Sequence, residues 1–336
     1  MPQGPIGIVA NPASGKDIRR LVAHASVFDN NEKRNMVTRA LYGAIAAGAT
    51  DFVYMPTPAA LVESCAEGLD EDISLRPVEV PWTDSALDTT RAAARMREAG
   101  CAVVITFGGD GTNRAFAKGW LDAPLVPIST GTNNVFPVMF EATVAGAAAG
   151  LVAAGAVSID EASARAKRIR VTMDDAAEDL ALIDAVLLDD PFVGARAVWR
   201  PETLRTLVLA RAEPAAIGLS SIGGLLHPVG AKDDAGLLVH IGEGGPHVLA
   251  AIAPGLYREI PIHEVRELAL GETVILRGRG TLALDGEREV TLREGEEACL
   301  QIVRDGPRVI DVPLALRLAA CRGAFVINPE ETANAD

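Results

Sequence analysis

The chain has 336 residues, room for one large domain or two of about 150 residues each. Hydrophobic residues make up 49% and charged residues 23%, close to globular averages, which excludes a disordered, collagen-like or coiled-coil chain. Thirty-one Lys and Arg stand against 45 Asp and Glu, a formal charge of -14. That balance opposes non-specific attraction to phosphate backbones and anionic lipid surfaces, so no nucleic-acid partner and no stable membrane association are expected.

In chain order, the apolar run Pro5–Ala10 predicts a buried strand. Helical patterns follow over Asp17–Ala25 and Glu32–Ala47, then a strand at Asp51–Met55, a helix at Pro58–Gly68 and a strand at Leu75–Val80. Ser85–Ala99 predicts a helix, Ala102–Phe107 a strand, Asn113–Leu121 a helix and Leu125–Ser129 a strand. Strands alternating with helices of this length imply βαβ units, right-handed crossovers and a parallel sheet. Ala142–Ile159 runs eighteen residues without a charge, but it is mostly Ala and Gly, which gain little from leaving water. Bounded by Pro137 and Asp160, it predicts a buried crossover helix rather than a membrane span.

Beyond it, short strands are predicted at Ile169–Met173, Leu180–Leu188, Thr206–Leu209, Ala216–Ile222, Gly236–Ile241, Val248–Ala253, Thr273–Leu276, Thr281–Leu284, Glu289–Leu292 and Ala298–Val303. Their close spacing favours antiparallel pairing. Asp285-Gly286 between two β-like runs signals a hairpin, because both turn positions take positive φ. The expected fold is an α/β N-terminal domain with an open parallel sheet (1–160), then a β-rich, antiparallel, sandwich-like domain (161–311). A C-terminal segment (312–336) follows, whose apolar stretch Val312–Leu318 packs back on the first domain and whose acidic tail frays. The domain interface is the expected place for a cleft.

Cys65, Cys101, Cys299 and Cys321 lie far apart without a C-x-x-C pair, the usage of reduced thiols in a cytoplasmic protein. The five histidines show no metal-ligand spacing. The N-terminus lacks the basic region and long apolar core of a signal peptide.

The sharpest motif is Gly108-Gly109-Asp110-Gly111-Thr112, directly after a strand. Glycines allow close approach of the main chain to a ligand, and the start of the following helix favours phosphate oxygens. An Asp there suits a base acting on a hydroxyl or a ligand for a metal held between phosphates; a Gly-rich turn with Asp as helix cap is the competing reading. Asn11-Pro12-Ala13-Ser14-Gly15-Lys16 also follows a strand. Ala10 and Asp17 stand where a Walker A loop needs Gly and Ser or Thr, yet Ser14, Gly15 and the backbone suit phosphate contact, with Lys16 as a point charge. A plain Pro-Ser-Gly turn is the alternative. Ser129-Thr130-Gly131-Thr132-Asn133-Asn134 follows a third strand. Parallel strands end on one edge, where ligands bind, so the three loops are expected to converge. The Asp29–Lys33 segment reads either as an Asn cap before the helix starting at Glu32 or as a lid or substrate contact, the cap being favoured.

The motifs Asn11–Gly15 (N-P-x-S-G), Gly108–Thr112 (G-G-D-G-T) and Gly131–Asn134 resemble those of the superfamily of NAD kinases, diacylglycerol kinases and sphingosine kinases. Asp285-Gly286-Glu287 is similar to the Asp-Gly-Glu or Asp-Gly-Gln hairpin of both branches. The string from Gly7 to Lys33 looks like the AcoX-type, NAD-kinase-like proteins encoded with acetoin catabolism. The resemblance implies an ATP-dependent kinase that phosphorylates a hydroxyl, the NAD 2′-hydroxyl or that of a related small molecule. On that reading Asp110 is the catalytic residue, taking or orienting the hydroxyl proton and helping to place Mg²⁺. Asn11, Ser14, Gly15, Lys16, Gly108, Gly109, Gly111, Thr112, Thr130, Gly131, Thr132, Asn133 and Asn134 bind the nucleotide, while Asp184, Asp285 and Glu287 reach the substrate. Lys16 or Arg114 supplies local positive charge. One departure matters: Ile183-Asp184 stands where NAD kinases carry Asn-Glu or Asn-Asp. Two alternatives follow: a lipid kinase of the diacylglycerol type, and a non-catalytic nucleotide-binding regulator linked to acetoin catabolism. The resemblance also implies a homo-oligomer, a dimer or tetramer.

Overall fold

The computed structural model describes residues 4–15, 28–173, 178–189 and 201–326; the expected helix Asp17–Ala25 and the tail after Asn328 lie outside them. The first half alternates as expected: β1 (Ile6–Ala10), α1 (Asn30–Ala46), β2 (Asp51–Tyr54), β3 (Ser74–Pro77), α2 (Ala86–Glu98), β4 (Val103–Gly108), α3 (Asp110–Gly119) and β5 (Pro124–Ser129). Every residue of β1, β4 and β5 is buried, as a sheet covered on both faces requires. Local signals set the helix starts. The Asp29 carboxylate accepts the Glu32 N–H at 2.7 Å, and Ser85 with Asp88 forms a capping box at the head of α2.

These five strands pair in parallel in the order β3-β2-β1-β4-β5, so the chain order switches between β1 and β4. The Ala/Gly stretch forms α4 (Ala142–Ala153), packed against α1. A Cβ on Gly43 would lie 2.0 Å from the Thr143 carbonyl oxygen, and one on Gly146 would lie 2.0 Å from that of Ala40. The small residues therefore serve backbone-close helix packing. No helix among the described residues is long and apolar enough to cross a membrane.

α5 (Ile159–Ala162) and β6 (Ser163–Arg165) lead into the second domain. It comprises β7 (Arg168–Met173), β8 (Glu178–Ala181), β9 (Asp184–Leu188), β10 (Leu204–Leu209), α6 (Leu219–Gly224), β11 (Ala235–Ile241), β12 (His247–Ala253), β13 (Leu256–Ala269), β14 (Thr273–Arg277), β15 (Gly280–Leu284), β16 (Glu287–Leu292) and β17 (Glu297–Val303). A sheet ordered β12-β13-β11-β10-β9-β15-β16 packs on a second, β14-β17-β7-β8, with antiparallel pairing throughout. Val171, Leu187, Leu282, Leu300 and Ile302 fill the space between them. β18 (Arg308–Ile310) then returns to the first sheet beside β5 and β6. α7 (Val312–Cys321) buries Val312, Ala315 and Ala319 in the first domain's core.

Several expectations shift. Pro58–Gly68 yields only a 3₁₀ turn at Glu63–Gly68, because Ala60 takes φ +46, which breaks a helix. α3 begins at Asp110 rather than Asn113. Leu180–Leu188 splits at Leu182-Ile183 into β8 and β9, which join different sheets. Ala216–Ile222 is not a strand; its end enters α6, where a Cβ on Gly223 would sit 2.4 Å from Leu209 Cδ1, so packing selects a close-set helix. β13 was hidden by exposed charges such as Arg258, Glu259, Glu264 and Arg266, which obscure its alternation.

Candidate active site

Three loops leave the C-terminal ends of β1, β4 and β5 and touch one another. The Asn11 backbone N–H donates to Phe107 O at 3.1 Å, and its side-chain Nδ2 donates to Thr112 Oγ1 at 2.9 Å. Asn11 Oδ1 accepts the Ala13 N–H at 2.9 Å, which rounds the turn. Ser14 Oγ lies 2.8 Å from Thr130 Oγ1, and the Thr130 N–H donates to Gly108 O at 3.2 Å. Gly15 holds φ +71, and a Cβ there would lie 2.6 Å from Thr130 O.

Asp110 is the first residue of α3 but does not cap it: the N-cap, Gly109, makes no side-chain capping bond. The Asp110 carboxylate reaches instead to the segment after β5. Oδ1 accepts the Phe136 N–H at 2.7 Å, and both oxygens accept the Val135 N–H at 3.1 Å. Asn113 locks the turn from inside, donating to Gly109 O at 2.9 Å and accepting from Thr106 Oγ1 at 2.7 Å. A Cβ on Gly109 would lie 2.8 Å from Asn134 Oδ1, and one on Gly111 would lie 2.8 Å from Glu287 Oε1. The glycines thus admit side chains from the third loop and from the second domain. Within the third loop, Ser129 Oγ donates to Gly131 O at 2.8 Å, Thr132 Oγ1 to Asn133 Oδ1 at 3.3 Å, and Asn134 Nδ2 to Ser129 Oγ at 2.7 Å.

The second domain contributes its Asp-Gly hairpin, with φ +50 at Asp285 and +76 at Gly286. The buried Asp285 carboxylate accepts N–H groups of Leu182 (2.9 Å), Ile183 (2.7 Å) and Asp184 (3.2 Å). Those donors face the break between β8 and β9, so one carboxylate satisfies the backbone where the strand divides. Burial pushes the Asp285 carboxyl up to about 7, against the opposing pull of the Arg114 charge and the Leu182 N–H. The Gly286 N–H donates to Asp184 Oδ1 at 3.2 Å. Asp110, Asn133, Asp184, Asp285 and Gly286 line one cleft between the domains, with ≈ 570 Å³ of empty space open to solvent. Leu204, Ile217, Leu219 and Ile252 form its apolar side.

Two cations were expected here. Lys16 lies outside the described residues. Arg114 donates Nε to Leu180 O at 2.6 Å and pairs with Asp179 at 2.9 Å, and its charge also acts on Asp285. Ile183 is 1% exposed; its side chain belongs to the same core cluster as Leu182 and Phe136, and its backbone N–H donates to Asp285.

Two residues were missed by sequence reasoning. Arg211 sits over the Phe136 ring at 5.1 Å and donates Nη1 to Val135 O at 3.2 Å, bracing the peptides that hold Asp110. Burial lowers its pKa, opposed by the Asp110 charge. Lys33, fully buried, donates to the carbonyls of Asn11, Pro12 and Ser14 at 3.1, 3.0 and 2.6 Å. Its signal was present: it shares the apolar face of α1 with Met36, Val37 and Ala40. The cap of α1 is Asp29 rather than the expected Asn, because its carboxylate takes the Glu32 N–H and both asparagines fall inside the first turn.

Residues 6–157 match the ATP-NAD kinase N-terminal domain, and residues 167–305 match the acetoin catabolism protein X C-terminal domain. The chain is 38% identical to acetoin catabolism protein X of Cupriavidus necator (strain H16) over 329 residues, 94% of this chain and 92% of that protein. The chain belongs to the acetoin catabolism protein X family. Similar solved structures include yeast NADH kinase complexed with NADH, at 13% identity, TM-score 0.49, covering 92% of this chain and 83% of that one. Another is a Bacillus anthracis str. Sterne protein provisionally assigned as a diacylglycerol kinase, at 12% identity, TM-score 0.47, covering 92% and 99%. This member of the acetoin catabolism protein X family is a kinase-fold protein: its three loops and Asp110 lie in the ATP-NAD kinase type domain, and Asp184, Arg211 and Asp285 in the family-specific one.

Proposed function

We propose that this protein is an ATP-dependent small-molecule kinase that transfers a phosphoryl group to a hydroxyl of NAD or a related small molecule in the interdomain cleft. The placement of Asp110 carries the reading. Its carboxylate is anchored by the Val135 and Phe136 N–H groups where three loops meet, and it lines the cleft. Phosphoryl transfer asks for in-line positioning and charge neutralisation more than for covalent chemistry.

The residues fit a nucleotide triphosphate. The start of α3 has no side-chain cap, and a helix start of that kind favours phosphate oxygens. Asn11, Ser14, Gly15, Gly108, Gly109, Gly111, Thr112 and Thr130–Asn134 surround the donor, and Asp110 orients the acceptor hydroxyl or takes its proton. Among the described residues no cluster of three His, Cys, Asp or Glu side chains forms a metal site. Mg²⁺ suits this arrangement, because it is commonly held by one or two carboxylates together with substrate phosphates and water. Asp110 would hold it, and the ion would neutralise phosphate charge. The protein acts as a homo-oligomer on a soluble substrate in this reading.

Purified protein with Mg²⁺ and ATP is offered NAD, NADH, and panels of diols and lipids. ADP and a phosphorylated acceptor are expected, both lost in Asp110→Asn; no ADP with any acceptor overturns the proposal. Ile183 favours a second reading, a non-catalytic nucleotide-binding regulator, since its buried side chain offers no polar group to a substrate. Tight calorimetric binding of ATP or NAD without turnover is the signature of that role.

A further inference from the structure

Lys33 supports the loop after β1 from beneath. Its ammonium is fully buried and donates to the carbonyls of Asn11, Pro12 and Ser14, with Asn30 Oδ1 at 3.4 Å. Burying an ammonium is costly, and a buried charge persists only where its hydrogen bonds are met. Here three of its acceptors come from one short turn. A trans peptide points its N–H opposite its C=O. With the Ser14 carbonyl turned onto Lys33, the Gly15 N–H points away from it, and the left-handed Gly15 completes the turn.

We infer that Lys33 is the positioning residue of the donor-phosphate loop and contributes to its positive potential. The ammonium gathers the loop carbonyls of Asn11, Pro12 and Ser14 on the inner side and leaves the Gly15 N–H to a nucleotide's phosphates on the outer side. This rests on the kinase reading above. It places a cation behind this loop in a chain of net charge -14. A buried charge behind the loop is screened little by salt.

Calorimetry with ATP, and with adenosine as a phosphate-free probe, compares the wild type with Lys33→Met and Asn30→Asp. Lys33→Met weakens ATP by about tenfold or more and adenosine by less than about twofold, and it raises the KM for ATP far more than it lowers kcat. Asn30→Asp sets a carboxylate beside Nζ in the first turn of α1, where negative charge favours a helix. It keeps the melting temperature yet weakens ATP roughly fivefold through the lost potential, an effect that a merely structural lysine would not produce. Lys33→Arg, which keeps the charge, binds ATP more tightly than Lys33→Met. If the wild type binds ATP and both neutralising variants bind it equally well, the inference fails and the kinase reading stands. If the wild type binds no nucleotide, the kinase reading fails and takes the inference with it. Where Lys33→Met does not fold, Asn30→Asp decides alone.

Discussion

The Asn11 side-chain amide donates to the Thr112 hydroxyl at 2.9 Å, joining residues 101 positions apart. The bond fastens the loop after β1 to the first turn of α3, across the strand pair where the chain order switches and where sheets of this kind bind ligands. A double-mutant cycle of Asn11→Ala and Thr112→Ala should give a coupling energy of about 1 kcal/mol in urea unfolding. Strictly additive losses would show that the two loops are not fastened to each other.

Gly15 combines φ +71 with a Cβ position 2.6 Å from Thr130 O. Gly15→Ala therefore loses roughly 2–3 kcal/mol, through left-handed strain and a backbone clash. Thermal or urea unfolding reads this directly, and an alanine variant as stable as the wild type contradicts the turn.

Asp110→Asn still accepts both the Val135 and Phe136 N–H groups at Oδ1, but it turns an amide donor toward Val135 N. A stability loss of about 1–2 kcal/mol is expected, with transfer slowed by at least about 100-fold for lack of the carboxylate. Undiminished ADP formation by the folded variant removes Asp110 from the reaction.

The Asp285 carboxyl titrates near 7 in the folded chain because it is buried, against about 3.9 when unfolded. The folded state thus keeps a proton that the unfolded chain has released. Stability from this group is complete below about pH 4 and falls as pH rises towards 7, levelling above it. Asp285→Asn removes the titration; asparagine tolerates the positive φ, and its oxygen is reached by all three backbone donors. Between pH 5 and pH 8 the wild type should lose roughly 2–3 kcal/mol more stability than the variant. Parallel urea-midpoint curves would refute this.

Much of the first domain was legible because its signals are local. The Ser85 cap marks a helix start, the largely apolar and fully buried β1, β4 and β5 mark strands covered on both faces, and Asp285-Gly286 marks its own turn. The second domain resisted where strands are short or charged. Nothing local in Leu180–Leu188 indicates a break at Leu182-Ile183; the break follows from a carboxylate about a hundred residues away that takes those N–H groups. Within the site, the glycines and Asp110 were visible as a motif, whereas Lys33 showed only as a charge on the apolar face of α1 and Arg211 not at all, since a basic residue in isolation reads as a solvated one.

The sequence alone determined the alternation of strands and helices, the three small-residue loops at strand ends and the hairpin turn, for backbone preferences and apolar periodicity act over a few residues. Tertiary structure alone decided that Arg114 turns to Asp179, that Lys33 lies under the first loop and that Asp285 holds a proton near neutrality. The reason is physical: the cost of burying a charge depends on which neighbours meet it, and those neighbours come from distant parts of the chain.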